Sequence, residues 1–238
     1  MINLTPKTLT GLKGIAFLSH LGLGDQISCN AIVHYLRKKY NKDIHVACKE
    51  KYFKNIDFLY KDFQDVTPFT VTNEGSWGLE SSQSESYAQK NNLFLLKTYI
   101  SSMKNKIWDQ DFYDVLGIDY EVKIKHFELP IISNHEEILF KHTNSKEFAF
   151  VHDDHSRGLK INPITKLPVV KNIESLNVFE MIPILKEAKE LHMMTSSLIC
   201  LCELLDLPKY SQKAFYYSKT RPDGEDIIWR NKEKWIKI

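Results

Sequence analysis

The chain has 238 residues, 43% of them hydrophobic and 26% charged, with a formal net charge of +2. That composition is ordinary for a globular protein and argues against disorder, and the near-neutral balance gives no support to a dedicated nucleic-acid binder. No apolar run approaches the ~20 residues that a membrane span needs, and no signal pattern opens the sequence. Cys29, Cys48, Cys200 and Cys202 read as buried free thiols, so the expectation is a soluble cytoplasmic protein, with peripheral membrane association left open.

In chain order, GIAFLS (14–19) reads as a short buried strand, and residues 25–40 carry helical apolar spacing through Ile27, Ala31, Ile32 and Leu36. A second strand follows at 43–48, a helical face at KYFKNIDFLYK, and a third strand at 66–71. Residues 73–92 are polar and serine-rich and predict a long loop, with Trp77 as its anchor. Helical patterns resume over 93–103 and around 108–116, and YEVKIKHFEL (120–129) alternates like a strand. The domain boundary falls between Pro130 and Lys146, giving domains 1–130 and 131–238. The second series has strands at 147–152, in LPVVK, in ELHMM and in KAFYYS. Its helices are NVFEMIPILKEAK, opened by Asn177 as N-cap with Pro183 able to shift its start, and SSLICLCELLDL. EDIIWRNKEKWIKI (225–238) has helical spacing and predicts a C-terminal helix. The alternation implies parallel βαβ units, hence an α/β fold of two Rossmann-like domains facing a central cleft.

Three passages carry chemistry. In HLGLGDQ the dinucleotide fingerprint fails, because the third small residue it requires is Ile27, and no P-loop lysine follows. What remains is Asp25 at a helix start, where capping and general-base roles are both open. In VHDDHSRGLK, Arg157 on a glycine turn suits diphosphate oxygens, and Lys160 adds charge. His152, Asp153, Asp154 and His155 are metal-ligand types, yet neighbours on an extended segment point in alternate directions. In MMTSSL, Thr195, Ser196 and Ser197 begin a helix, a natural phosphate site or an ordinary cap. Tyr217, Lys219 and Arg221 read as a basic surface loop.

These passages, HLGLGDQISCNAIVHYL, FVHDDHSRGLKI and FEMIPILKEAKELHMMTSSLICLCELL, resemble small GT-B-type glycosyltransferases of the heptosyltransferase-like and fucosyltransferase-like branches. The resemblance implies a general base at Asp25, an acceptor-side loop of His20, Gly22, Gly24 and Gln26, and donor diphosphate binding by Arg157. His152, Asp154, Lys160 and Thr195–Ser197 would complete the donor site. It implies a nucleotide-diphosphate sugar donor, a glycan or lipid-linked acceptor, no metal and no further cofactor. A nucleotide-sugar epimerase, a non-catalytic nucleotide-sugar-binding protein and a metal-dependent hydrolase built on His152–His155 are the alternatives. This chain is shorter than most GT-B enzymes, and two aspartates stand in its arginine turn where the fucosyltransferase-like motif is more basic.

Overall fold

Strand β1 (Gly14–Leu18) is buried along its whole length, which is why its residues read as an unbroken apolar run. In the computed structural model, which describes residues 4–72, 77–98, 107–220 and 229–238, β1 pairs in parallel with β2 (Asp43–Lys49) on one side and β4 (Leu93–Lys97) on the other. With β3 (Val66–Val71) the order is β3-β2-β1-β4, all parallel. A Cβ on Gly14 would sit 2.2 Å from the Asp43 carbonyl oxygen, so only glycine lets β1 start this close to β2. Helices α1 (Leu23–Tyr40), α2 (Phe53–Tyr60), α3 (Trp77–Asn91), α4 (Gln110–Leu116) and α5 (Val122–Lys125) complete this unit, which spans Met1–Ile131.

The second unit, Ile132–Ile238, holds α6 (His135–His142), β5 (Ala149–Val151), β6 (Val169–Lys171), α7 (Ile182–Glu187), β7 (Glu190–Met193), α8 (Ser197–Leu204), β8 (Lys213–Tyr216) and β9 (Ile236–Lys237). Its sheet order is β6-β5-β7-β8-β9, again all parallel. Each unit is therefore Rossmann-like, as the alternation predicts.

Four expectations are corrected. The polar stretch is not a loop: residues 77–91 form α3, while 73–76 lie outside the described residues. Its buried stripe is Glu80, Ser84 and Ala88, an i, i+4, i+8 row of small or paired side chains. Glu80 meets Lys49 at 3.2 Å and Ser84 donates back to the Glu80 carbonyl at 2.8 Å, so polar residues serve where an apolar stripe was sought. Residues 93–97 are strand β4 rather than helix; a short apolar run reads either way until a neighbour claims it, and β1 does. Residues 99–106 lie outside the described residues. The alternating YEVKIK holds the helical turn α5, because Lys123 points inward to an acid. Finally, 229–238 form a 3-10 turn (Lys232–Lys234) and β9, not a C-terminal helix. Trp229 and Trp235 are buried, and the Ile238 N–H donates to the Tyr216 carbonyl at 2.9 Å, extending the sheet.

α7 begins at Ile182, with Pro183 in its first turn, later than the apolar spacing suggests. Asn177 does cap a turn there, its Oδ1 accepting from the N–H groups of Phe179 and Glu180 at 2.9 and 3.0 Å. α6, within the expected boundary region, has no counterpart in the sequence reading. All four cysteines are buried free thiols.

Candidate active site

In an open parallel sheet, ligands bind outside the carboxyl ends of the strands where the winding reverses. In the first unit that point lies between β1 and β4, and the loop leaving β1 is Ser19–Gly22. In the second it lies between β5 and β7, and the segments leaving those strands are His152–Gly158 and Met194–Ser196. The two sequence motifs of the second unit thus meet at one sheet edge, where the His152 N–H donates to the His192 carbonyl at 2.9 Å.

On the first unit, α1 starts so early that Gly24, Asp25 and Gln26 all lie in its first turn. The Gly22 N–H donates to Asp25 Oδ2 at 3.0 Å, so the carboxylate folds back and caps its own helix. Gly22 makes room for this: a Cβ there would lie 2.4 Å from that oxygen. His20 is half-buried between the rings of Trp77 and Phe112, with centroids 5.7 and 5.5 Å away. Burial lowers its pKa, against the opposing pull of Glu80. Gln26 does not face an acceptor. It is buried, and its amide donates to Ser19 Oγ at 3.1 Å and to the Ala47 carbonyl at 2.9 Å, tying α1 to β1 and β2.

The arginine turn of the second unit is a tightly wired loop. Asp153 is buried and accepts from the Ile161 N–H at 2.8 Å and from Lys171 Nζ at 2.7 Å. Asp154 and Leu159 exchange backbone hydrogen bonds across the turn, with Gly158 at φ +66° reversing the chain. The Asp154 carboxylate accepts from Ser156 Oγ at 2.6 Å and from Arg157 Nη1 at 2.8 Å. Burial works to raise the Asp154 pKa, but these two donors outweigh it and the group lies below its ordinary value. The two aspartates that distinguish this motif thus shape the turn and aim the guanidinium, which stays half exposed. Lys160 is exposed.

His155 turns away to Glu174, 2.9 Å from Nδ1 to Oε1. The four side chains of 152–155 disperse, and among the described residues no group of three or more His, Cys, Asp or Glu could hold a metal ion. His152 is buried with neither ring nitrogen hydrogen-bonded. Burial lowers its pKa and keeps it neutral, partly offset by Asn172, Asp154 and Asp153.

At the end of β7 the three hydroxyls have different fates. Thr195 is buried, its Oγ1 2.5 Å from the Tyr216 hydroxyl, so it pins the sheet edge rather than a ligand. Ser196 is the N-cap residue of α8 in extended geometry, yet its side chain makes no capping hydrogen bond. Its Oγ is buried without a partner, a cost natural structures seldom carry without reason. Ser197 opens α8 and is half-buried. Tyr217 is buried rather than on a surface loop, its hydroxyl 2.9 Å from His192 Nδ1. Lys219 is exposed, and Arg221 lies outside the described residues.

Sequence reasoning missed one charged pair. Lys123 Nζ and Asp109 Oδ2 lie 2.6 Å apart with both side chains wholly buried. Tyr120 OH donates to Asp109 Oδ1 at 2.7 Å. A lysine and an aspartate 14 positions apart leave no local pattern, and only the fold unites them.

No family profile matches the chain, and no curated protein is detectably similar in sequence. Solved structures are similar in fold. The chain aligns with a family 9 glycosyl transferase from Veillonella parvula at TM-score 0.55 and 11% identity, covering 86% of this chain and 81% of that one. It also aligns with TibC, an iron-containing dodecameric glycosyltransferase from enterotoxigenic E. coli, at TM-score 0.50 and 9% identity, covering 86% of this chain and 58% of that one. For TibC described as a heptosyltransferase in complex with ADP-D-beta-D-heptose, the values are 0.51 and 8%, with 94% and 62% covered. The chain spans about three fifths of the TibC chains. The likeness to these glycosyltransferases is one of fold.

Proposed function

We propose that the protein is a glycosyltransferase that moves a sugar from a nucleotide-diphosphate donor to a hydroxyl of a glycan or lipid-linked acceptor, with inversion and without a metal. The observation that carries this reading is the start of α8: an N-cap residue, Ser196, whose buried hydroxyl makes no capping bond, at the same switch point as the Arg157 turn. Backbone N–H groups, a hydroxyl and a bidentate cation together suit a diphosphate. The fold likeness to glycosyltransferases, one of them in complex with ADP-heptose, supports the same donor class.

In this reading the second unit holds the donor, with Arg157, Lys160 and the N–H groups opening α8 on the diphosphate and His152 as a neutral hydrogen-bonding group. The first unit supplies the acceptor loop. The acceptor oxygen attacks the anomeric carbon from the face opposite the leaving group. Its proton passes to the Asp25 carboxylate, and the anomeric C–O bond breaks with its electron pair leaving on the diphosphate. Charge develops on that diphosphate in the transition state, where fixed donors lower the barrier most. A single displacement of this kind inverts the anomeric centre. We place the reaction in the cytoplasm, and among the described residues no helix is long and apolar enough to cross a membrane.

A non-catalytic nucleotide-sugar-binding protein is the second reading, favoured by the hydrogen bond that already commits one Asp25 oxygen to the helix start. A thermal-shift titration with ADP, GDP and UDP and their sugars in EDTA tests the donor site, since a ligand that binds the folded state raises apparent stability. Stabilisation by at least one, lost in Arg157→Ala and in Ser196→Glu, is expected. No stabilisation by any of them overturns the proposal, and binding without release of nucleoside diphosphate over a panel of glycan acceptors selects the second reading.

A further inference from the structure

A groove of about 550 Å³ runs between the free edge of β3 and α3, within the size range of small-molecule sites. Its wall carries the hydroxyls of Thr70, Thr72, Ser82, Ser86 and Tyr87 beside apolar surface. Ser82, Ser86 and Lys90 stand at i, i+4 and i+8 on one face of α3, and all three are exposed. Tyr87 is immobilised, stacked on Phe69 at 3.8 Å and 1° and with its hydroxyl 2.9 Å from His45 Nδ1. Among the described residues one acid and one base, Glu50 and Lys90, line the groove, a balanced pair.

The edge strand explains what this groove cannot take. The Ile44 N–H donates to the Asp65 carbonyl at 2.9 Å; in a parallel ladder this turns the peptide groups of residues 66, 68, 70 and 72 outward. The Val66 N–H is taken by the Phe63 carbonyl at 3.0 Å, and Pro68 has no N–H. The Thr72 N–H is taken by Gln83 Oε1 at 2.8 Å. Three of four outward donors are thereby removed, which blocks addition of a peptide strand. Of these four donors, the Thr70 N–H is the one left facing the groove without a partner among the described residues.

We propose that this groove binds neutral carbohydrate, specifically the residues of an acceptor glycan beyond the one that reacts. Hydroxyl side chains both donate and accept, as sugar hydroxyls do, and a neutral ligand suits the balanced charge. One end of the groove, at Thr70–Thr72, lies at the carboxyl edge of the same sheet as the Asp25 loop. β3 is two strands from β1, a lateral step of about 10 Å, so one extended acceptor spans both. This extension rests on the transferase reading, whereas carbohydrate binding by the groove does not.

The test is a titration of the isotope-labelled full chain, followed by amide NMR, with maltose, cellobiose, lactose and chitobiose and separately with ADP and UDP. At least one disaccharide should shift the Thr70, Ser82 and Ser86 amides, and neither nucleotide should. Ser86→Glu and, independently, Thr70→Lys should weaken that disaccharide by about tenfold or more. Both positions are exposed, so the fold tolerates either change. No shift with any disaccharide overturns the proposal, as does unchanged affinity in both variants. Sugar binding with no nucleotide bound anywhere upholds the groove and removes the transferase. Nucleotide binding with a silent groove does the reverse.

Discussion

A methyl group added at Gly22 would stand 2.4 Å from Asp25 Oδ2, and the atom that must yield is the end of a flexible carboxylate. Gly22→Ala therefore expels Asp25 from the helix start without straining the backbone, since Gly22 sits at φ −70°. The expected cost is that of a lost cap, about 1 kcal/mol, read as a shift in denaturation midpoint. Asp25→Asn separates the observed cap from the proposed role as base. The amide oxygen still accepts from the Gly22 N–H, so stability and donor binding should hold, while transfer falls by about 10²–10⁴-fold for want of a base. Transfer near the wild-type rate in Asp25→Asn would reduce the residue to a cap. At this scale the sequence shows that a carboxylate opens the helix and that an arginine and hydroxyls follow two later strands. It does not show which neighbours turn inward. Gln26 lies only one position past Asp25, a rotation of about 100°, and whether that rotation reaches solvent or Ala47 depends on where β2 packs. Thr195 and Ser196 differ for the same reason, Tyr216 having claimed the first.

The elements easiest to read were those whose apolar pattern is also their burial pattern, such as β1 and β5, while α1 was legible from its spacing although it also buries Gln26, Ser28, Asn30 and His34. Two of those misread, α3 and α5, are held by polar contacts. α3 packs through Glu80, Ser84 and Ala88, and α5 turns Lys123 inward so that an alternating sequence becomes a helical turn. The Asp109–Lys123 pair that orders α4 and α5 is wholly buried, with Tyr120 bridging to both partners. Lys123→Met strands a charged carboxylate in the interior and should cost about 3–5 kcal/mol. Adding Asp109→Asn to that variant removes the stranded charge and should restore a substantial part of the loss, as measured by urea denaturation of the single and double variants. A double variant as unstable as the sum of the singles would show that the two groups act independently.

The whole molecule resolves into two parallel-sheet units, each with a switch point, and this much follows from alternation alone. What alternation cannot show is that five histidines, His20, His34, His45, His152 and His192, are all held below their ordinary pKa, in each case chiefly by burial. A base whose pKa is lower folded than unfolded favours the unfolded state as soon as the pH drops below the unfolded value. The fold should therefore lose stability on acidification before any carboxylate is protonated. His34 is the strongest case, lowered from 6.5 to about 4. It is fully buried, with its ring 4.5 Å from Phe63 and neither nitrogen hydrogen-bonded. Glu128 lies 3.9 Å away and pulls its pKa up, as Asp65 does, while Arg37 and Lys38 push it down. Roughly 2 kcal/mol of stability should be lost at this one residue between about pH 7.5 and about pH 5. Below that window Asp153, Asp154 and Glu190, whose pKa values are lowered by their partners against burial, begin to cost as they protonate. His34→Phe keeps the ring shape among Tyr60 and Phe63 and cannot titrate. Hydrogen exchange of the α1 amides reports opening of the first unit alone. The wild type should open more readily at the lower pH by about 30-fold relative to the variant, the factor that the 2 kcal/mol implies. Equal pH dependence in the two proteins would show that His34 takes no part in the acid limb.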